Sequence, residues 1–148
     1  MLWVTFFIFG LLASLGALIL ELLLASFFID PSTLGSAFVP TTFSLLLFAI
    51  IEEASKIVFF LQATRRTATS SRPLSTGIAF GIGFASLEYF ALSYIQNLPS
   101  GPLYGILLVH LITSIFLAFF VSKYQSKRAL LILLACLATL HFGYNILL

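Results

Sequence analysis

Glu52, Glu53 and Lys56 stand within five residues of one another in the middle of an apolar run from Thr41 to Gln62. A charge at bilayer depth costs between about 2.5 and more than 10 kcal/mol, so this group needs either good partners or a chemical role. Three more ionisable side chains, Glu88, His110 and His141, lie in equally apolar surroundings, with Asn145 four residues past the last of them. Carboxylates, two imidazoles and a carboxamide around a wet pocket suit hydrolysis of an amide. A buried carboxylate can take a proton from water and pass it to the leaving amine, and an imidazole with an amide one turn away can donate hydrogen bonds to a developing oxyanion. The same groups suit Zn²⁺, since His and Glu are ligands and a catalytic zinc needs three protein ligands and an open position. There is no HExxH, and no Ser or Cys is convincingly placed beside a base as a nucleophile.

The elements that must position these groups follow from composition. Of 148 residues 61% are hydrophobic and 8% charged, with a mean hydropathy of +1.16, whereas a soluble domain carries about 25% charged residues. The expectation is an all-α polytopic membrane protein. About twenty apolar residues cross a bilayer as a helix, and five runs qualify: about 2–29, 41–62, 74–96, 103–122 and 129–148. The segments between them are too short for a soluble domain, so one membrane-embedded domain, 1–148, in the lipid bilayer is expected. The first run has no basic start and far exceeds the apolar core of a signal peptide, so it reads as a retained helix. A net charge of +2 points to no nucleic-acid partner. The lone Cys136 reads as a packing residue.

Arg65, Arg66 and Arg72 fall between the second and third runs, and Lys123, Lys127 and Arg128 between the fourth and fifth. The other connections hold Asp30 and the uncharged segment from Asn97 to Pro102. The positive-inside bias then puts the N-terminus in the cytoplasm and the C-terminus outside, with Trp3 and Tyr124 at the inner interface and Tyr94 and Tyr104 at the outer one.

Depth ties the polar residues together. At about 1.5 Å rise per residue, Glu52 and Glu53 fall at the centre of the second run, while Glu88, His110 and His141 each lie about 4–5 Å from the centres of theirs, toward the same side. Four helices thus deliver their ionisable groups to one layer. Gly77, Gly81 and Ala85 form a small-residue stripe that lets a neighbouring backbone approach, and Glu88 returns to within about 20° of that stripe, so it faces protein. Lys56 can pair with either carboxylate, but Glu52 and Glu53 are about 100° apart and cannot point the same way. Glu21 reads as an interfacial carboxylate on the first helix.

Glu52-Glu53-Ala54-Ser55-Lys56 fits EExxK, Phe84-Ala85-Ser86-Leu87-Glu88 fits FxxxE, and His141-Phe142-Gly143-Tyr144-Asn145 fits HxxxN, with His110 on the helix between the last two. In this order the motifs resemble the PrsW-like intramembrane proteases, relatives of the CAAX prenyl-protease and bacteriocin-processing (CPBP) superfamily. The resemblance covers about residues 45–147 and leaves the first helix unexplained. It implies an endopeptidase of a prokaryotic plasma membrane that cuts a membrane-anchored protein on the extracytoplasmic side. It implies that Glu52 and Glu88 activate the water, that His141 and Asn145 form the oxyanion site, that Glu53 and Lys56 orient and balance charge, and that His110 is a further site residue. A metal, with Glu88, His110 and His141 as ligands, and a glutamate-activated water remain alternatives. A transporter or proton- or cation-conducting subunit using the same groups is the rival expectation, and a non-catalytic homologue a third.

Overall fold

Each apolar run folds as one helix: α1 (Leu2–Phe28), α2 (Thr42–Thr67), α3 (Pro73–Gln96), α4 (Ser100–Lys123) and α5 (Lys127–Leu147). The computed structural model describes residues 1–28, 41–67, 72–96 and 100–147, with the side chains of 94–96 and 100–103 outside that set. Asp30, the Tyr94 ring and residues 97–99 therefore lie outside the described residues. α1, α3, α4 and α5 are long and apolar enough to cross a membrane. α2 matches them in length at 26 residues and differs in carrying Glu52, Glu53 and Lys56 in its middle. The protein is an all-α helical membrane bundle.

Two boundaries differ from the sequence expectation. α2 runs on past Gln62 to Thr67, so Arg65 and Arg66 occupy its last turn rather than a loop, where a cation meets the negative end of the helix dipole. α4 starts at Ser100, which takes Ser100, Gly101 and Pro102 into its first turn; proline is tolerated there because the early amides have no intrahelical acceptor. Pro73 opens α3 for the same reason.

The helices close into a ring in the order α3, α1, α2, α5, α4, and α2 also reaches across to α4. Two glycine contacts fix the approach of α3 to its neighbours. A Cβ at Gly83 would strike the Phe7 backbone of α1, and one at Gly10 would strike the backbone of Phe80 and Phe84. On its other side, a Cβ at Gly81 would sit 3.0 Å from the carbonyl oxygen of His110. The expected stripe therefore seats α4, and the Gly81 contact sets the height of His110 against α3. Such backbone contact is how membrane helices gain packing energy where burial from water is not available.

Apolar packing fills one half of the ring. Phe60 of α2 stands 5.0 Å from Phe6 and 5.2 Å from Phe80, ring centre to ring centre, in the tilted and edge-on arrangements aromatic quadrupoles favour. Leu117, Val121, Leu133 and Leu137 complete this core. Cys136 is not in it: the thiol is exposed on the outer face of α5, because Leu133 and Leu137, one turn apart, hold the inward face of that helix.

Candidate functional site

The other half of the ring holds the ionisable residues. Glu53, Lys56, His110 and Thr113 are fully buried, and Glu52 and His141 nearly so. As helical spacing requires, Glu52 and Glu53 leave α2 in different directions, and the two have different company.

Glu53 Oε1 accepts a hydrogen bond from Lys56 Nζ at 2.6 Å and faces His141 Nδ1 at 2.8 Å. Lys56 Nζ also donates to Thr113 Oγ1 of α4 at 2.9 Å and lies 4.6 Å from the centre of the Phe84 ring. Of the two carboxylates Lys56 could have chosen, it takes Glu53. A carboxylate paired with an ammonium has no hydrogen to give, so the Nδ1 of His141 carries one and Nε2 is left as an acceptor. That Nε2 points at Glu52, 3.6 Å from its Oε2.

His110 approaches the same oxygen from α4, with Nε2 3.9 Å from Glu52 Oε2, and the two imidazole rings stand 5.1 Å apart, edge to face. The Nε2 of His110 is paired with Glu88 Oε2 of α3, and its Nδ1 is buried with no hydrogen-bond partner among the described residues. Glu52 Oε2 is likewise buried without a hydrogen bond there. An oxygen in that state is either supplied by something that is not protein or destabilising, since a lost hydrogen bond of a buried polar group costs about 1–3 kcal/mol or more.

One acid of the site was missed by sequence reasoning. Glu21 is not an isolated interfacial carboxylate: with Glu52 and Glu88 it lines a cavity of about 200 Å³ between α1, α2 and α3, whose remaining wall includes Ser14, Ala17 and Phe84. Its Oε1 is buried without a hydrogen bond among the described residues. The signal was available, because a lone carboxylate in an apolar run needs a partner wherever it stands. Its place late in a long helix suggested water as that partner.

Of the seven residues expected at the site, six come together: Glu52, Glu53, Lys56, Glu88, His110 and His141. Asn145 is half-buried one turn beyond His141, and no hydrogen bond joins its amide to the cluster among the described residues. Thr113, not anticipated, completes the shell of Lys56.

The donor set fits a metal, with one change from the expected ligands. Glu52, His110 and His141 each offer a ligand atom, all within 4.8 Å of one another. Glu52 replaces Glu88 in that trio because it lies between the two imidazoles, while Glu88 is taken up by His110. The Nδ1 of His141 is held by Glu53, the outer carboxylate partner that ligating histidines generally have.

No protein-family model, curated protein or solved structure matches this chain, so function is argued from these residues alone.

Proposed function

We propose that the chain is an intramembrane endopeptidase that hydrolyses a peptide bond of a membrane-anchored protein with water activated at Glu52. The observation that carries this reading is Glu52 Oε2, buried without a hydrogen bond among the described residues and lying 3.6 Å and 3.9 Å from two imidazole nitrogens. A water drawn there can give a proton to Glu52 as its oxygen bonds to the scissile carbonyl carbon. Glu52 then returns that proton to the amine nitrogen as the carbon–nitrogen bond breaks. Glu88 holds His110 beside this water, and Glu53 holds His141.

His141 in its resting tautomer offers Nε2 as an acceptor or ligand. It becomes an oxyanion donor only after taking a second proton, and Glu53, already facing Nδ1, is placed to balance the resulting charge. Zn²⁺ held by Glu52, His110 and His141 would act as a Lewis acid toward the scissile carbonyl, and Glu88 would then be the nearest carboxylate left to accept a proton. The PrsW-like motif order supports the same reading.

Arg65, Arg66, Arg72, Lys123, Lys127 and Arg128 gather at the end of the bundle that holds the N-terminus. This supports a cytoplasmic N-terminus and a site displaced toward the extracytoplasmic side. The transporter reading is weaker, since transport sites commonly lie at broken helices near the midplane, whereas all five helices here run unbroken through the described residues.

The test is cleavage of co-expressed single-span membrane proteins by the wild type and by Glu52→Gln, Glu88→Gln and His141→Ala. Loss of cleavage in all three is expected, and retention in all three overturns the proposal. Zinc content and chelator sensitivity of purified protein separate the two chemistries: bound zinc that disappears in His110→Ala and His141→Ala marks the metal version, and full activity of zinc-free protein eliminates it.

A further inference from the structure

We propose that the bundle binds the phosphate of an anionic phospholipid in a second cavity, at the end that carries the N-terminus, with Arg65 as the principal donor. The inference does not depend on the endopeptidase reading. The cavity, of about 340 Å³, opens between the ends of α2, α3, α4 and α5, a size at the lower end of small-molecule sites. Arg65 stands in its wall in the last turn of α2. Pro73, the first residue of α3, and Gln125, just past the end of α4, stand around the same mouth.

Floor and mouth differ in kind. The floor is Phe60, Ala118 and Val121, all buried, and Phe60 precedes Arg65 by five residues, roughly 7–8 Å along the helix. The mouth is polar, but its hydroxyl hydrogens are spent. Thr64, Thr76 and Ser122 donate to the carbonyls of Leu61, Arg72 and Phe119. Gln125 gives one amide hydrogen to the Val121 carbonyl and keeps the other. The free donors are therefore that hydrogen and the guanidinium of Arg65, which has no ion pair among the described residues. Arg66, beside it, is turned to α1 instead, 5.4 Å from the centre of the Phe9 ring. A guanidinium presents paired N–H groups that match two oxygens of a phosphate.

Charge and shape together select the ligand. No Asp or Glu lines the cavity, and the acids of the other half are committed there: Glu21, Glu52 and Glu88 line their own cavity, and Glu53 holds Lys56. The mouth thus has no group to receive the ammonium of a zwitterionic headgroup. Arg72, Lys123, Lys127 and Arg128 each stand within two residues of a lining residue, and such a basic cluster at a membrane surface favours anionic lipid. A soluble phosphate would meet the same guanidinium and leave the apolar floor bare. A phospholipid fills both, with its phosphate on Arg65 and the first methylenes of its chains against Phe60 and Val121. Because four helices wall the cavity, a bound lipid ties their ends together, and Phe60 carries that tie into the aromatic core with Phe6 and Phe80.

Native mass spectrometry of the purified chain, released from micelles holding equal amounts of a phosphatidylglycerol and a phosphatidylcholine with the same acyl chains, tests the site. The wild type is expected to retain the phosphatidylglycerol in preference by about tenfold or more, the worth of a hydrogen bond to a charged group, and Arg65→Gln to lose that preference. Arg66→Gln removes the same charge one residue away and is expected to stay within about twofold of the wild type, since an exposed charge apart from the bound group contributes little. No preference in the wild type, or equal loss in the two variants, reduces the effect to general attraction by surface charge and overturns the site. Leu130→Trp fills the cavity from α5 and should remove the preference with Arg65 in place; an unchanged preference there overturns the cavity as the location. Phosphatidylglycerol is also expected to raise the unfolding temperature of the wild type, as a ligand of the folded state does, and millimolar inorganic phosphate to leave it unchanged. Displacement of the lipid by inorganic phosphate alone assigns the site to a soluble anion and overturns the lipid proposal.

Discussion

Toward the end of the bundle that carries the N-terminus, Phe6, Phe60 and Phe80 meet ring against ring, and Gly10 and Gly83 bring α1 and α3 to backbone contact. Toward the other end the same helices enclose Glu21, Glu52, Glu88, His110 and His141 around a cavity and two imidazoles. The first half is packed by shape, with Ser114 Oγ, beside Gly81, buried without a hydrogen bond among the described residues. In the second, oxygens of Glu21, Glu52 and Glu53 and a nitrogen of His110 are buried without hydrogen bonds among the described residues. A bundle that needed only to persist in a membrane would not concentrate its unmet polar groups in one half. The packed half is a clamp, and the polar half is what it holds in register.

That contrast is sharpest where the two halves meet, at Lys56, so the largest loss of stability is expected from Lys56→Met. It leaves Glu53 buried without its ammonium, a change that costs about 3–5 kcal/mol. Unfolding in mixed micelles by a denaturing detergent measures it. Adding Glu53→Gln to the same chain should recover most of the loss, because the amide oxygen can still accept from His141 while no charge is left unpaired. A double variant as unstable as the single one would show that Lys56 acts through packing on Phe84 instead.

Gly83→Val comes next and strikes the clamp. The added side chain meets the Phe7 backbone, and overpacking of this kind costs about 1–3 kcal/mol. Since α1 also walls the cavity that Glu21, Glu52 and Glu88 line, pushing α1 from α3 should lower cleavage as well, while the helix content seen by circular dichroism is kept. Loss of stability with full cleavage would mean that the halves are mechanically independent.

How far these features could be read without coordinates follows the same division. The five helices, the common depth of Glu52, Glu88, His110 and His141, and the glycine stripe under α4 were legible, because bilayer thickness, the cost of buried charge and helical spacing each act on the sequence locally. Partner choice was not. Lys56 lies about 40° from Glu52 along the helix, yet pairs with Glu53, since Thr113 and His141 reach that side from α4 and α5. Glu21 was misplaced for a related reason: the cavity it lines is closed by α2 and α3, and nothing within α1 announces which helices become its neighbours. The inward turn of Gly10 and Gly83 toward each other, and the outward turn of Cys136, are likewise decided by which helices become neighbours.

Glu52→Gln should separate stability from function. Glu52 Oε2 has no hydrogen bond to lose among the described residues, and replacing a buried carboxylate by a neutral amide removes a charge, so stability is expected to be unchanged or raised. Cleavage should fall by about 10²–10⁴-fold, the range for removal of a general base. Destabilisation comparable to that of Lys56→Met would return Glu52 to the structural half of the comparison.

The smallest effect on unfolding is expected from Asn145→Ala, and it asks whether the polar half is complete at rest. Asn145 is half-buried and has no hydrogen bond to the cluster among the described residues, so its removal should leave unfolding unchanged within about 0.5 kcal/mol. An amide that donates only to a developing oxyanion would be silent in the resting protein and felt in turnover, since catalytic hydrogen bonds often tighten only in the transition state. The expected signature is a fall in kcat of about 10²-fold or more with KM unchanged, the size seen when one oxyanion donor is removed. If kcat and stability both keep their wild-type values, the oxyanion falls to His141 alone, and that residue must then take up its second proton before the tetrahedral intermediate forms.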